Sequence, residues 1–167
     1  MDENHKKTAL RMIPYGLYVM TGESPSGDIA AATVNWVTQT AFSPPLLVVG
    51  VKVDSGIHQI VKQAGCFALN ILGKSQQGAA YAFFKPVERD GNAINGETFH
   101  KGSTGSPILD SVPAYVECKL IETVEKGDHS IFVGEVVDAG VAGEPAGRPD
   151  DVTLTLKDLG DKVFYGG

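Results

Sequence analysis

What the sequence lacks over its most distinctive stretch is charge: between Asp28 and Lys52 there is no ionisable side chain at all. The polar groups in that run are Thr33, Asn35, Thr38, Gln39, Thr40 and Ser43, all short and neutral, and the only tryptophan, Trp36, stands among them. The run is as long as a bilayer-crossing helix. However, two adjacent prolines and this set of amides and hydroxyls would leave polar groups unsatisfied in hydrocarbon, so no membrane span is expected. Cysteine is scarce as well. Cys66 and Cys118 lie far apart, each inside an apolar run, and read as buried free thiols rather than a redox pair or a metal site. No two of the four histidines have zinc-ligand spacing, so no metal is expected. A basic excess is also missing: the net charge of −6 argues against a nucleic-acid partner. There is no G-x-S-x-G elbow for a serine hydrolase, and no G-x-G-x-x-G loop between strand and helix for a Rossmann-type dinucleotide site. The opening M-D-E-N-H-K-K-T has no apolar stretch of the kind a secretory signal carries. Together with the free thiols this makes the cytoplasm the expected location.

What is present points to strands. Twenty glycines and nine prolines supply many turns in 167 residues, a length that suits one domain spanning 1–167. A short helix is expected over His5–Ile13, stopped by Pro14. The strand Y-G-L-Y-V-M-T, the turn G-E-S-P-S-G-D and the neutral stretch then form an antiparallel pair, which Pro44-Pro45 ends. L-L-V-V-G-V-K-V reads as a mostly buried strand. From Ser55 to Ala64 the period becomes helical, with Asp54 or Ser55 as cap and Gly65 as stop. C-F-A-L-N-I-L is another buried strand, and Ser75–Phe84 a second helical stretch before Lys85-Pro86. Residues 85–107 show no period and are expected to be a long functional loop. Val112–Glu125 and Ser130–Val141 form a hairpin turning at K-G-D-H, followed by a Pro- and Gly-rich turn, a last strand and the segment K-V-F-Y-G-G. Six or seven strands with short helices predict a mainly β fold, an antiparallel barrel flanked by helices.

Three places have residues suited to chemistry. As a strand, the neutral run puts Thr33, Asn35 and Val37 on one side and Val34, Trp36 and Thr38 on the other. One reading is a strand packed on a second subunit. The other is a flat, partly polar ligand such as an isoalloxazine ring, bonded by Thr, Asn and backbone N–H groups and covered by Trp36. The second place is the strand-to-helix join D-S-G-I, where free N–H groups, Ser55 and Gly56, with Lys52 or Lys85 as counter-charge, would seat a phosphate. Asp54 is expected to point away or cap the helix. The third is His129, next to Asp128 in the turn G-D-H-S; such a histidine is either plain surface or functional.

Read together, A-T-V-N-W-V, F-S-P-P-L-L-V-V-G-V, D-S-G-I-H-Q-I, C-F-A-L-N-I-L, and E-C-K-L followed by G-D-H-S-I-F-V-G-E-V resemble, in order and spacing, the flavin reductase-like family. These are Greek-key FMN-binding split barrels, among them flavoredoxin-type proteins and the small components of two-component monooxygenases. The resemblance implies FMN near a homodimer interface. It places Thr33, Val34, Asn35 and Trp36 along the isoalloxazine and ribityl region, with Gly50, Val51 and Lys52 continuing the groove. Ser55, Gly56 and His58 fall at the phosphate turn, and Phe84 and Lys85 close the site. His129 falls where the family's reductases keep a histidine beside nicotinamide or flavin, and Tyr165 is a second candidate for the nicotinamide. One departure is Ile57, which stands where the family often has a second hydroxyl; another is K-V-F-Y-G-G, which only loosely matches the final strand. The activity implied is hydride transfer from NAD(P)H to flavin, with electrons passing to free flavin, a partner oxygenase or a redox protein. An FMN electron carrier without its own NAD(P)H site, and a cofactor-free barrel, are the alternatives.

Overall fold

The computed structural model describes residues 1–167. Its centre is a seven-stranded antiparallel sheet. In chain order the strands are β1 (Tyr18–Glu23), β2 (Ile29–Val34), β3 (Val37–Phe42), β4 (Pro45–Lys52), β5 (Cys66–Ile71), β10 (Ala114–Glu125) and β11 (His129–Val141). In space they run β2-β1-β5-β10-β11-β4-β3. The two outermost strands, β2 and β3, are therefore neighbours in sequence, separated only by Asn35 and Trp36. For two residues to link opposite edges, the sheet must curl until those edges almost meet. The Gly50 N–H donates to Trp36 O at 2.8 Å, extending the β3–β4 ladder up to this corner. The result is a barrel split along one line, as the sequence predicted. The neutral run is not one strand, however. It breaks at Asn35–Trp36, so the simple alternation of sides expected across residues 33–38 fails at the corner.

Helix α2 (Gly56–Ala64) plugs one end of the barrel. Ser55 caps it, its Oγ accepting from the His58 N–H, and Gly65 ends it in the left-handed region at φ 70°, where a side chain would be strained. Ile57, His58 and Val61 form its buried face. Inside the barrel they meet Met20, Val49, Phe67, Leu69 and Phe132. The opposite face of β1 and β5 is also covered. There Val19 and Leu72 pack against Ala79, Ala80 and Phe83 of the α3 region (helix Gln77–Ala82), and against Ile94, Phe99 and Leu109. A sheet buried on both faces explains why β1 and β5 read as continuous apolar runs.

Four expectations change. Helix α1 spans Glu3–Arg11, because Asp2 caps it by accepting from the His5 N–H; none of its residues is buried. The stretch 85–107 is not a structureless loop: it holds β6 (Arg89–Asp90), β7 (Ala93–Ile94) and β8 (Glu97–Lys101), which join β9 (Pro107–Leu109) in a second sheet ordered β6-β7-β8-β9. These strands are too short for a period to emerge. The last strand is replaced by two 3-10 turns, Pro149–Val152 and Leu156–Leu159, held by isolated bridges from Gly73 to Thr153 and from Gly16 to Thr155. His129 is the first residue of β11, paired with Lys52, rather than a turn residue. No helix is long and apolar enough to cross a membrane.

Candidate functional site

A cavity of about 340 Å³ opens at the split. Ala32, Thr33, Val34 and Asn35 line it from the end of β2, and Gly50, Val51 and Lys52 from β4. Ser55 and Ile57 come from the start of α2, Phe84 from the end of the α3 region, and His129 from β11. An adjoining groove of about 700 Å³ shares Ala32, Lys52, Ser55, Ile57 and Phe84 with it and adds Gly56 and Lys85. The ten cavity candidates from Thr33 to Tyr165 are thus brought together although the chain separates them by up to 132 positions.

Within the site, several side chains have partners that sequence alone did not show. The Thr33 hydroxyl donates to Ala80 O at 2.8 Å, so it ties β2 to α3. Ser55 Oγ donates to Lys52 O at 2.6 Å while capping α2. Lys52 Nζ lies 3.1 Å from Asp54, which therefore neither turns fully away nor caps the helix. Trp36 does not line the cavity. It lies behind Gly50, where a Cβ would come within 2.9 Å of the indole, so only glycine lets the ring cross β4. His58 is displaced as well. It is 6 % exposed, and its Nε2 lies 2.9 Å from Ser130 Oγ. Its ring sits 5.0 Å from that of Phe132. Facing the barrel interior, it is pushed below the usual histidine range by burial and then by Lys62, while Glu125 opposes. Its ring therefore takes no part in the expected phosphate seat, and its backbone N–H is engaged by the Ser55 cap.

Around His129 a polar chain forms. Its Nδ1 lies 3.0 Å from Asp128 Oδ1 and its Nε2 2.8 Å from Tyr165 Oη. The imidazole rests on Trp36 with centroids 4.6 Å apart, and Tyr165 covers the same indole at 5.4 Å. Hydrogen bonding and charge from His129 hold the Asp128 carboxyl below its usual range, and burial pushes the Tyr165 phenol up. The arrangement can orient an imidazole against a ring-shaped ligand with both nitrogens engaged. The segment after the last 3-10 turn was the least legible part: Val163, Phe164 and Tyr165 all line the cavity, and Asn35 Nδ2 donates to Tyr165 O at 3.3 Å. Two adjacent aromatics in an otherwise small-residue segment were the only signal.

The two cysteines are free, and burial together with the neighbouring Glu117 pushes the Cys118 thiol up to about 12, so it is inert.

An antiparallel split barrel with an almost uncharged, amide-bearing cavity at its seam defines a class of small-molecule cofactor binders. The chain belongs to the flavin reductase like domain family, whose pattern it matches over residues 10–158. It is 30% identical to a stachydrine N-demethylase reductase subunit of Rhizobium meliloti over 81% of this chain and 57% of that protein. It is 28% identical to the NADH-dependent flavin reductase StyB of Pseudomonas fluorescens over 89% of this chain and 85% of the other. Among solved structures, the NADH:FAD oxidoreductase of Streptomyces globisporus in complex with NAD and FAD fragments superposes with a TM-score of 0.66. Identity there is 30%, covering 77% of this chain and 76% of that one. The chain spans about half the length of the two R. meliloti relatives it matches, 57% of one and 42% of the other.

Proposed function

We propose that the protein is an NAD(P)H-dependent flavin reductase that uses FMN. The observation that carries this reading is the cavity itself, where the uncharged end of β2, the corner amide of Asn35 and His129 converge at the seam of a flavin reductase-like barrel. Its chemistry suits a flavin. The Asn35 amide makes only a 3.3 Å bond, and apolar Val34, Val51 and Phe84 offer the broad faces a flat ring needs. When bound, FMN supplies a ring nitrogen, N5, that takes a hydride from C4 of the nicotinamide.

The protein's own residues bind and orient. Asn35 donates to the ring edge, and Phe84 closes one side against water. Ser55 fixes the start of α2, whose first N–H groups have no intrahelical partner and favour an anion. Lys52 and Lys85 contribute the positive charge. His129, braced by Asp128, orients the nicotinamide. Electrons then leave to free flavin, a partner oxygenase or a redox protein. The edge strand β3 supports a homodimer: Phe42 is 91 % exposed, and an apolar hollow of about 320 Å³ beside it is lined by Tyr18, Val37, Pro45, Leu46, Val116 and Val136. A twofold contact there would cover both, and the mass in solution reports it.

The test is a stopped-flow mix of the FMN-loaded protein with NADH and with NADPH, in wild type and His129→Ala. Rapid loss of flavin absorbance in wild type, slowed on the order of 10²-fold or more in the variant at similar FMN affinity, is the expected result. No bleaching with either donor would instead identify an electron carrier reduced by another protein.

A further inference from the structure

Residues 163–167 form a strap across the mouth of the cavity. Its inner contacts mimic a ligand. The Tyr165–Gly166 peptide presents a carbonyl to Asn35 Nδ2 at 3.3 Å, while the Tyr165 ring lies against Trp36 and reaches His129 Nε2 through its hydroxyl at 2.8 Å. An aromatic ring joined to an amide, held by Asn35, Trp36 and His129, offers the same groups as a nicotinamide with its carboxamide.

The strap is also weakly held. It makes no ladder bonds, and Phe164 and Tyr165 are 52 % and 47 % exposed. Gly166 lies over the Trp36 indole, whose Nε1 is buried there with no acceptor. On its outer side the strap depends on Arg11, which donates from Nε to Gly166 O at 3.3 Å and sits 4.4 Å from the centre of the Phe164 ring. Arg11 belongs to α1, a helix without a single buried residue.

We propose that this strap is an internal competitor for the dihydronicotinamide, and that Arg11 sets how firmly it sits. Opening frees the Asn35 amide and His129 Nε2 and uncovers the Trp36 indole together. This rests on the reductase reading above. Because the competent fraction is reduced while the strap is closed, apparent nicotinamide affinity is reduced by the same factor.

The experiment uses Arg11→Ala, which lies outside the cavity, and Tyr165→Gly, which removes the competing ring. The dissociation constant of NADH is followed through the emission of Trp36, the only tryptophan, and that of FMN through flavin fluorescence in a separate titration. Losing one hydrogen bond and one ring contact should tighten NADH about threefold to tenfold in Arg11→Ala. Tyr165→Gly should tighten it at least as much. In Arg11→Ala, KM for NADH should fall in parallel with kcat unchanged, and FMN, whose ring edge shares only the Asn35 amide with the strap, should tighten less than NADH. If wild type binds NADH and both variants bind it equally or more weakly, the strap is part of the site and the proposal fails alone. Tightening of FMN in place of NADH overturns it too, since the strap would then mimic the flavin edge. If no variant binds NADH although all bind FMN, both this proposal and the reductase reading fall.

Discussion

Two buried polar clusters in this molecule are built in opposite ways. Glu117 on β10 is 0 % exposed and fully satisfied: Oε1 accepts from the Ser103 N–H at 2.8 Å and its hydroxyl at 3.1 Å. Oε2 accepts from the Thr104 N–H at 2.8 Å and from the Thr104 hydroxyl. The corner at Asn35–Trp36 has instead one long bond and one indole N–H with none. A saturated network fixes a loop in a single geometry, because any movement strands a buried charge. An unsaturated one keeps donors available for something that comes and goes. The difference separates the part of the barrel that holds shape from the part that, in the proposed function, exchanges ligands.

The largest effect should come from breaking the saturated side. Glu117→Ala leaves four donors facing an apolar methyl and should cost about 3 kcal/mol or more in urea unfolding near pH 7. The exposed neighbour Glu122→Ala should stay within about 0.5 kcal/mol. Acid should probe the same residue. Burial pushes the Glu117 carboxyl up, but the bonds from Thr104 and Ser103 outweigh it and hold the group below its ordinary value. Its folded-state pKa is therefore depressed. The stabilisation is present above the unfolded value of about 4.3 and is lost as pH falls through the folded value. A stability profile from pH 6 downward should drop less steeply in Glu117→Gln than in wild type; equal slopes would mean that other carboxylates carry the acid response.

On the unsaturated side, Asn35→Ala should weaken FMN by about 1–3 kcal/mol while changing folding stability by less than about 1 kcal/mol. A loss of stability matching that at Glu117 would erase the contrast. The smallest effect is expected for Trp36→Phe. Removing an orphaned N–H offsets part of the packing loss, so unfolding should shift by about 1 kcal/mol or less.

Local signals carried most of the fold. The period change at Ser55, its cap and Gly65 are all written within eleven residues, and α2 forms there. The β10–β11 hairpin is long enough for its pattern to dominate, with pairing from Ala114–Val141 to Glu125–Ser130. Short strands such as β6 and β7 span two residues each, less than one full alternation, and could not be told from loop. At the site, Asn35, Gly50, Ser55, Phe84 and His129 line one cavity. The resemblance could not say which hydroxyls remain free. Thr33 and Ser55 both donate to backbone carbonyls, and His58 turns into the barrel.

By itself, the sequence determined where the longer strands and the central helix lie and that one long stretch would avoid charge. These follow from side-chain period, caps and neutral polarity, all local properties. Only the tertiary structure decided that the neutral stretch bends at Asn35–Trp36, that His129 meets Tyr165 across 36 positions, and that Arg11 reaches over the strap. Those contacts exist because a curled sheet brings its two edges together, and the distance between edges depends on the twist and packing of all seven strands at once.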